Sequence, residues 1–460
     1  MSVSRSLVVL TAFMGVAAVM AAGLMIFAPQ QVLITHASFD PAVISPNADG
    51  EDDVTIFSYI LTRRAIVDIV LESDTGEVFF FRRGERRAAG DYTVAFSGVV
   101  DGFVREGEAI SGEVVRRLIP DGVYTWRITA VDLAGESEHL SGTLIVESGD
   151  VPLPEISELT VFPNVFTPNQ DGISDRTAIN IYLEKSALLT VRLERDGIEP
   201  IILSQRVQDR RTGDAGRYLY DYDGGVDLGA EPPADGEYVV VADAQDAVGQ
   251  RVIRTAALII QDGGKPLAEI VAQPTGATVV FETQPYADEY ETVRGGQGAR
   301  ISPPDNPLGL SMNAITLPVG DMLVFKLTVE NYSTVPIRTT GPAPGTVYQW
   351  DQRASTLGWF DESGAWRVGI DCTTASSDYP WRWALGDETT LQAGVDPFTG
   401  ESFLYLPAGE RAVVWGAVRM TEIEARNPQN CWAGLIHEDV EVSLRNNNVG
   451  ARQIELVQAD

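Results

Sequence analysis

The sequence is short of the side chains on which zinc enzymes and many hydrolases depend. Only three histidines occur, His36, His139 and His437, and they lie far apart without the spacing of metal ligands. This distribution argues against a zinc site and against a histidine-dependent hydrolase. No Ser-His-Asp, HExxH or phosphate-loop signature is present either. We therefore predict that the protein is not an enzyme.

Basic residues are also scarce. The chain holds 34 lysines and arginines against 65 aspartates and glutamates, which gives a formal net charge of −31. Such a chain repels phosphate backbones, so we expect no binding to nucleic acid. Its hydrophobic content of 44% and charged content of 22% are typical of folded proteins. A length of 460 residues is enough for about three domains.

The longest apolar stretch lies at the N-terminus. Residues 7–28 carry no charged side chain, and a helix of that length spans about 33 Å, enough for the roughly 30 Å of a bilayer core. Arg5 precedes the stretch, which predicts a cytoplasmic tail (1–6), a single transmembrane signal anchor (7–28) and an extracytoplasmic remainder. The alternative is a cleaved signal peptide, whose apolar region is normally shorter. Both alternatives place the bulk of the chain outside the cytoplasm.

Two segments of the chain repeat each other. The pattern [ST]-P-N-x-D-G-x-x-D occurs at residues 45–53 and again at 167–175, and D-G-x-Y-x5-A-x-D-x-x-G occurs at 121–135 and again at 235–249. The two closing motifs are separated by fewer residues than the two opening motifs, so the first copy is longer in its middle. We place the additional residues at 82–87 and 104–113. Asp-Gly supplies tight turns, and the runs between these motifs alternate like strands.

Short strands without helical periodicity predict an all-β fold of tandem β-sandwich modules. The opening motif, a glycine turn in mid-module (96–98 and 222–224) and the closing motif together resemble the FlgD-type Ig-like domain, a module of bacterial surface proteins. The usual tryptophan of the mid-module turn is replaced in both copies. The resemblance covers about residues 33–263 and implies Ig-like modules at 33–148 and 150–263. It implies no role in flagellar assembly.

The opening motifs contain candidate metal ligands. Oxygen-bearing side chains at alternate positions around a glycine resemble a shortened calcium loop, and hard oxygen ligands suit Ca²⁺. The alternative is that these side chains cap their own turns through backbone hydrogen bonds, with glycine at the bend. Both interpretations are open at this point. The candidate ligands are Asn47, Asp49 and Asp53 in the first copy, and Asn169, Asp171 and Asp175 in the second.

Residues 266–460 differ in composition from the repeats and predict a larger, Trp-rich β-sandwich. A strand-like run at 322–329, the turn E-N-Y-S at 330–333 and the segment L-P-A-G-E at 406–410 before a later strand are loosely similar to bacterial Ig-like accessory domains of the BsuPI proteinase-inhibitor type. Seven of the eight tryptophans lie here. Trp381 and Trp383 share one face of a strand and flank Arg382, a composition typical of binding hot spots. The alternative is a large aromatic core.

Cys372 and Cys431 are the only cysteines. An even number of cysteines in an exported chain predicts a disulfide. It would close a loop of about 60 residues and stabilise the domain by about 4 kcal/mol in the chain-entropy model.

These observations predict a membrane-anchored, extracytoplasmic structural or adhesive protein. The repeats would act as a spacer, and the C-terminal domain would bind a protein or glycan of the cell envelope, with calcium as the one candidate cofactor. Two alternatives are a glycan-binding envelope protein and a peptidase inhibitor that acts through an exposed loop at 338–346. An enzyme with an unrecognised site is a third.

Overall fold

The computed structural model describes residues 13–16, 20, 32–205, 213–273, 276–305, 314–396 and 399–458. Most of the predicted membrane segment 7–28 lies outside these residues, and the parts of it that are described, 13–16 and 20, are helical. Within the described residues, no helix has the length and apolarity needed to cross a membrane.

The first module is built from strands in which buried and exposed side chains alternate. In the run that starts at Tyr124, the side chains of Tyr124, Trp126 and Ile128 are buried, whereas Thr125 and Arg127 between them are exposed. Alternation of this kind places one face of each strand in the core. The strands are β1 (Ile34–Asp40), β2 (Val43–Ile44), β3 (Thr55–Leu61), β4 (Ala65–Ser73), β5 (Val78–Arg87), β6 (Gly90–Phe96), β7 (Val99–Asp101), β8 (Glu113–Leu118), β9 (Gly122–Asp132) and β10 (Ser137–Val146).

Two sheets of the first module enclose an aromatic core. One sheet has the order β1-β3-β6 and the other has the order β2-β10-β9-β4-β5, with β2 parallel to β10. Phe57 and Trp126 meet in the core with their ring centroids 5.4 Å apart in an edge-on arrangement. This is a β-sandwich, as the sequence predicts.

The second module repeats this arrangement of two sheets. Its sheets have the orders β11-β13-β16 and β15-β14-β17-β18, and β12 lies parallel to β18 as β2 lies parallel to β10. A short 3₁₀ helix (Val226–Leu228) follows β16. The strands are β11 (Ile156–Phe162), β12 (Val165–Phe166), β13 (Thr177–Leu183), β14 (Leu188–Glu194), β15 (Ile201–Ile202), β16 (Gly216–Tyr222), β17 (Gly236–Gln245) and β18 (Arg251–Ile260).

The extra length of the first copy joins the two modules. β7 and β8 have no counterpart in the second copy, and β8 pairs antiparallel with β18 of the second module. The second module's larger sheet therefore continues through β8 and β7 into the first module. Val248 of the second module packs with Val99 and Leu118 beneath this junction. A shared sheet and a shared apolar contact fix the two modules in one orientation.

The C-terminal domain contains three sheets around one large core. Their orders are β19-β22-β29-β24 with β20 also on β22, β21-β31-β30-β25-β26, and β23-β28-β27. Two 3₁₀ helices (Asp288–Tyr290 and Ala354–Leu357) lie in its loops. The strands are β19 (Ala268–Val271), β20 (Val279–Gln284), β21 (Ile315–Pro318), β22 (Met322–Asn331), β23 (Ile337–Thr339), β24 (Val347–Gln349), β25 (Trp366–Cys372), β26 (Trp381–Ala384), β27 (Gln392–Val395), β28 (Ser402–Leu406), β29 (Arg411–Arg419), β30 (Gln429–His437) and β31 (Val449–Val457).

The predicted disulfide is present. Cys372 on β25 lies directly opposite Cys431 on β30, and the two are bonded. Both side chains are buried in the core of the domain. The bond therefore joins two neighbouring strands of one sheet that are distant in sequence.

Candidate binding groove and module joints

The structure corrects the prediction that Trp381 and Trp383 form an exposed binding face. They do share one face of β26, but that face is the core, and their exposed fractions are 1% and 0%. The Trp383 indole donates a hydrogen bond to the Thr346 carbonyl oxygen (3.0 Å) and packs edge-on against Tyr348. A Cβ on Gly416 would lie 2.4 Å from the same indole, so glycine provides its space. The aromatic-core alternative is the one observed.

Arg382 is also part of the internal structure. Its guanidinium binds the Glu438 carboxylate at 2.8 Å, and Glu438 is buried. Arg367, fully buried beneath it, lies 3.3 Å from the same carboxylate. Arg367 also donates hydrogen bonds to the carbonyl oxygens of Thr340 (2.6 Å) and Phe360 (2.7 Å). This buried charge cluster fixes two surface loops, and both of them border a groove.

That groove is a cavity of about 890 Å³ on the surface of the C-terminal domain. Its floor includes the buried side chains of Thr339, Leu357 and Ala384. Trp359, which follows the 3₁₀ helix Ala354–Leu357, stands at the rim with 41% of its surface exposed. The rest of the lining comes from the segment 292–300, the loop after β23, the loop after β26 and the start of β28.

An ion pair crosses part of the rim. The Arg300 guanidinium donates to the Asp387 carboxylate at 2.7 Å, and the Thr389 backbone amide donates to the same carboxylate at 3.0 Å. The Thr389 hydroxyl and then Arg300 lower the pKa of Asp387 to about 2, so this carboxylate is ionised at neutral pH. The Arg300 side chain remains 44% exposed. The groove therefore has an apolar floor and a charged, partly exposed rim.

The first opening loop (45–53) is stabilised by hydrogen bonds between its side chains and its own backbone amides. The Asp53 carboxylate accepts hydrogen bonds from the amides of Asn47 (3.0 Å) and Gly50 (2.8 Å). The Asn47 side chain accepts the Asp49 amide, and the Asp49 side chain accepts the Glu51 amide. These bonds, the Gly50 amide foremost, lower the pKa of Asp53. The loop tip is exposed to solvent.

The second opening loop has the same internal bonds in a different setting. The Asp175 carboxylate accepts the amides of Gly172 (2.6 Å) and Asp171 (3.2 Å). Gln170 adopts the left-handed backbone conformation of its counterpart Ala48, with φ of 55° and 62° respectively. Asn169 and Asp171, however, are buried.

The C-terminal domain covers this second loop. Arg338 donates to the Asp171 carbonyl oxygen (2.5 Å), and the Tyr405 hydroxyl donates to the Asp171 carboxylate (3.1 Å). The His437 ring bonds the Gln170 carbonyl oxygen at 2.7 Å. A Cβ on Gly172 would lie 2.0 Å from the Ser363 carbonyl oxygen, so only glycine allows this approach. The loop is a joint between the second module and the C-terminal domain.

Burial in this joint shifts the pKa of several groups, Asp175 and His437 among them. Loss of hydration, followed by the nearby Asp171 carboxylate, raises the pKa of Asp175 to about 7. Loss of hydration lowers the pKa of His437 to about 4. The two equivalent aspartates therefore differ: the pKa of Asp53 is lowered in the exposed first loop, and the pKa of Asp175 is raised in the buried second loop.

The candidate calcium ligands are engaged with backbone amides. In both loops the carboxylate and amide oxygens face N–H groups of the same turn, which is the geometry of the turn-capping interpretation. In the part of the chain that the structure describes, no group of three or more His, Cys, Asp or Glu side chains is arranged to hold a metal ion.

The loop 338–346 is not an exposed inhibitory loop. Arg338, Thr339 and Thr346 have exposed fractions of 4%, 2% and 1%. Arg338 is occupied by the second opening loop, and the residues after it form a wall of the groove. The prediction of an exposed loop at this place is wrong because the second module covers Arg338 and the residues after it are buried or half-buried.

No family model and no curated protein matches the chain. Among solved structures it is similar to a Ca²⁺-stabilised adhesin with which an Antarctic bacterium binds ice, at 12% identity over 92% of this chain and 74% of that one, with a TM-score of 0.22. A tetra-tandem repeat from the extending region of a large adhesion protein has 11% identity over 87% and 80%, with a TM-score of 0.17. Likenesses with TM-scores this low define no family.

Proposed function

We propose that this chain is a non-enzymatic, extracytoplasmic structural or adhesive protein. In this account residues 7–28 anchor it in a membrane, two FlgD-type Ig-like modules form a spacer, and the C-terminal domain binds a protein or glycan of the cell envelope. The observation that carries the proposal is the open groove on the C-terminal domain, with Trp359 exposed at its rim.

The two joints support the spacer role. β8 continues the sheet of the second module, and the second opening loop is bonded to Arg338, Tyr405 and His437 of the C-terminal domain. Both joints use backbone pairing or buried polar contacts, which hold neighbouring domains in one orientation. In this proposal the two joints keep the last domain at a set distance from the first.

The geometry favours the groove over a peptidase-inhibiting loop. Inhibition of that kind requires an extended loop that can enter a protease active site, and the segment 338–346 is buried or half-buried along its length. The groove, in contrast, is concave and open to solvent, as ligand sites commonly are.

Filling the groove tests the proposal. Ser402 is exposed at its edge, and Ser402→Trp should place an indole in the cavity and abolish capture of envelope material by the full-length protein. Ser141→Trp, on an exposed position of β10, is the matched control and should bind like the wild type. The assay measures retention of envelope protein, envelope polysaccharide and proteases. Binding that survives Ser402→Trp would contradict the proposal, as would selective retention of proteases.

A further inference from the structure

We propose that the groove binds a carbohydrate chain, with the indole of Trp359 as the surface on which one sugar ring stacks. This inference rests on the proposed function and names the ligand class for the same site. It follows from the exposure of Trp359, from the polar groups around it, and from the backbone pairing of the segments at the groove.

Trp359 differs from the tryptophans of the core. The side chains of Trp366, Trp381 and Trp383 have exposed fractions of 5%, 1% and 0%. Trp359, in contrast, is 41% exposed beside the cavity. The buried Arg367 holds the adjacent Phe360 carbonyl oxygen at 2.7 Å and so fixes this turn. An exposed ring on a fixed turn is a ready stacking surface for the apolar face of a sugar.

The polar groups at the rim match the hydroxyl groups of a sugar. The Arg300 guanidinium can donate several hydrogen bonds, and Thr389 and Glu388 are exposed beside it. The pair of Arg300 with Asp387 holds the guanidinium in place before a ligand arrives. A ligand with one apolar face and a ring of hydroxyl groups satisfies both the indole and this rim. A lipid chain would bury the ion pair without replacing its lost hydration, which is unfavourable.

The strands at the groove offer a peptide few free backbone groups. β28, which lines it, pairs with β27 at residues 402–405 and with β23 at residues 404–406. At the end of β26 the Ala384 amide donates to the Pro342 carbonyl oxygen, and the Leu385 amide donates to the Thr339 hydroxyl. Strand addition needs free backbone groups, so the groove favours a sugar over an extended peptide.

The test uses the full-length protein and two probes from the cell envelope: polysaccharide freed of protein by exhaustive proteolysis, and envelope protein freed of glycan. The wild type should bind the polysaccharide. Trp359→Ala should weaken that binding by about tenfold or more, as expected for an aromatic hot spot, and Trp359→Phe should recover part of it. Phe162→Ala removes another exposed aromatic side chain, from the second module, and should leave binding unchanged.

Three outcomes are informative. Binding to polysaccharide that depends on Trp359 supports the inference. Binding to the protein probe alone, or polysaccharide binding that Trp359→Ala leaves unchanged, overturns the sugar-stacking role while the proposed binding function stands. Failure of the wild type to bind either probe overturns both.

Discussion

At the scale of single residues, the two opening loops show how burial decides the chemistry of one motif. Asp53 and Asp175 occupy the same place in the repeat and accept equivalent backbone hydrogen bonds. Backbone hydrogen bonds, that of the Gly50 amide foremost, lower the pKa of Asp53 in the exposed first loop, whereas loss of hydration beneath the C-terminal domain raises the pKa of Asp175 to about 7. The two loops share the motif pattern, so the difference in pKa arises from what packs against each loop.

This difference predicts a pH dependence. An acid whose pKa is raised on folding contributes stability that is present below its unfolded pKa of about 4 and is lost as pH rises through its folded pKa of about 7. The unfolding free energy of the wild type should therefore fall relative to that of Asp175→Asn as pH rises from about 4 to about 7. Denaturant titrations followed by tryptophan fluorescence would measure it.

Asp53→Asn is the matched control for that experiment. Its pKa is lowered on folding, so its contribution is lost only as pH falls below the ordinary range of an aspartate. Between about pH 5 and pH 7 the difference in unfolding free energy between the wild type and Asp53→Asn should stay constant. A parallel pH response of the two variants would show that burial of the second loop does not set the pKa of Asp175.

The tryptophans provide a second prediction at this scale. Trp383 is fully buried, and Trp383→Ala should lower the unfolding free energy by about 3–5 kcal/mol through lost packing and a cavity. Trp359 is partly exposed, and Trp359→Ala should lower it by less than about 1 kcal/mol. Equilibrium unfolding in urea would compare the two variants. Equal losses would place Trp359 in the core and contradict its assignment to the groove.

At the scale of strands, the junction of the two modules depends on a few side chains. Val248 lies between Val99 and Leu118, whereas its counterpart in the first copy, Ala134, is exposed. Val248→Asp should bury a carboxylate without a partner and weaken the junction by several kcal/mol. Hydrogen exchange should then lose protection along β8 and β18. Ala134→Asp should leave protection unchanged, and equal effects of the two changes would contradict this account of the junction.

The disulfide between β25 and β30 provides a further prediction. Replacing both cysteines with alanine should lower the unfolding free energy of the C-terminal domain by about 4 kcal/mol, because the bond closes a long loop in the unfolded chain. The unfolding transitions of the repeats should stay in place, since the bond lies wholly within the C-terminal core. Calorimetry resolves these transitions, and a loss shared by all of them would contradict that independence.

Strands and repeats could be predicted from the sequence because they depend on local patterns. The alternation from Tyr124 onward and the Asp-Gly turns are visible without any tertiary information. Contacts between distant segments could not be predicted. Nothing local to Trp383 shows that Gly416 makes room for its ring, and nothing near Gly172 shows that Ser363 approaches it. The groove was missed for the same reason, because its walls come from five separate segments.

At the scale of the whole molecule, the three cores follow one another along the chain and the joints between them are specific. The first joint is made by β7 and β8, which only the first copy possesses. The second joint is made by the opening motif of the second copy, which the C-terminal domain covers, whereas the same motif in the first copy is exposed. Repeated modules with such joints are suited to holding a distal domain in place. The domain they hold carries the groove and all but one of the tryptophans.

The most direct test of this arrangement compares two parts of the chain. Residues 33–263 and residues 266–460 would be produced separately, shown to be folded by circular dichroism, and assayed against whole envelope fractions. The account predicts that the C-terminal part binds with the affinity of the full chain and that the repeats do not bind. Binding by the repeats without binding by the C-terminal part would contradict the division into a spacer and a binding domain.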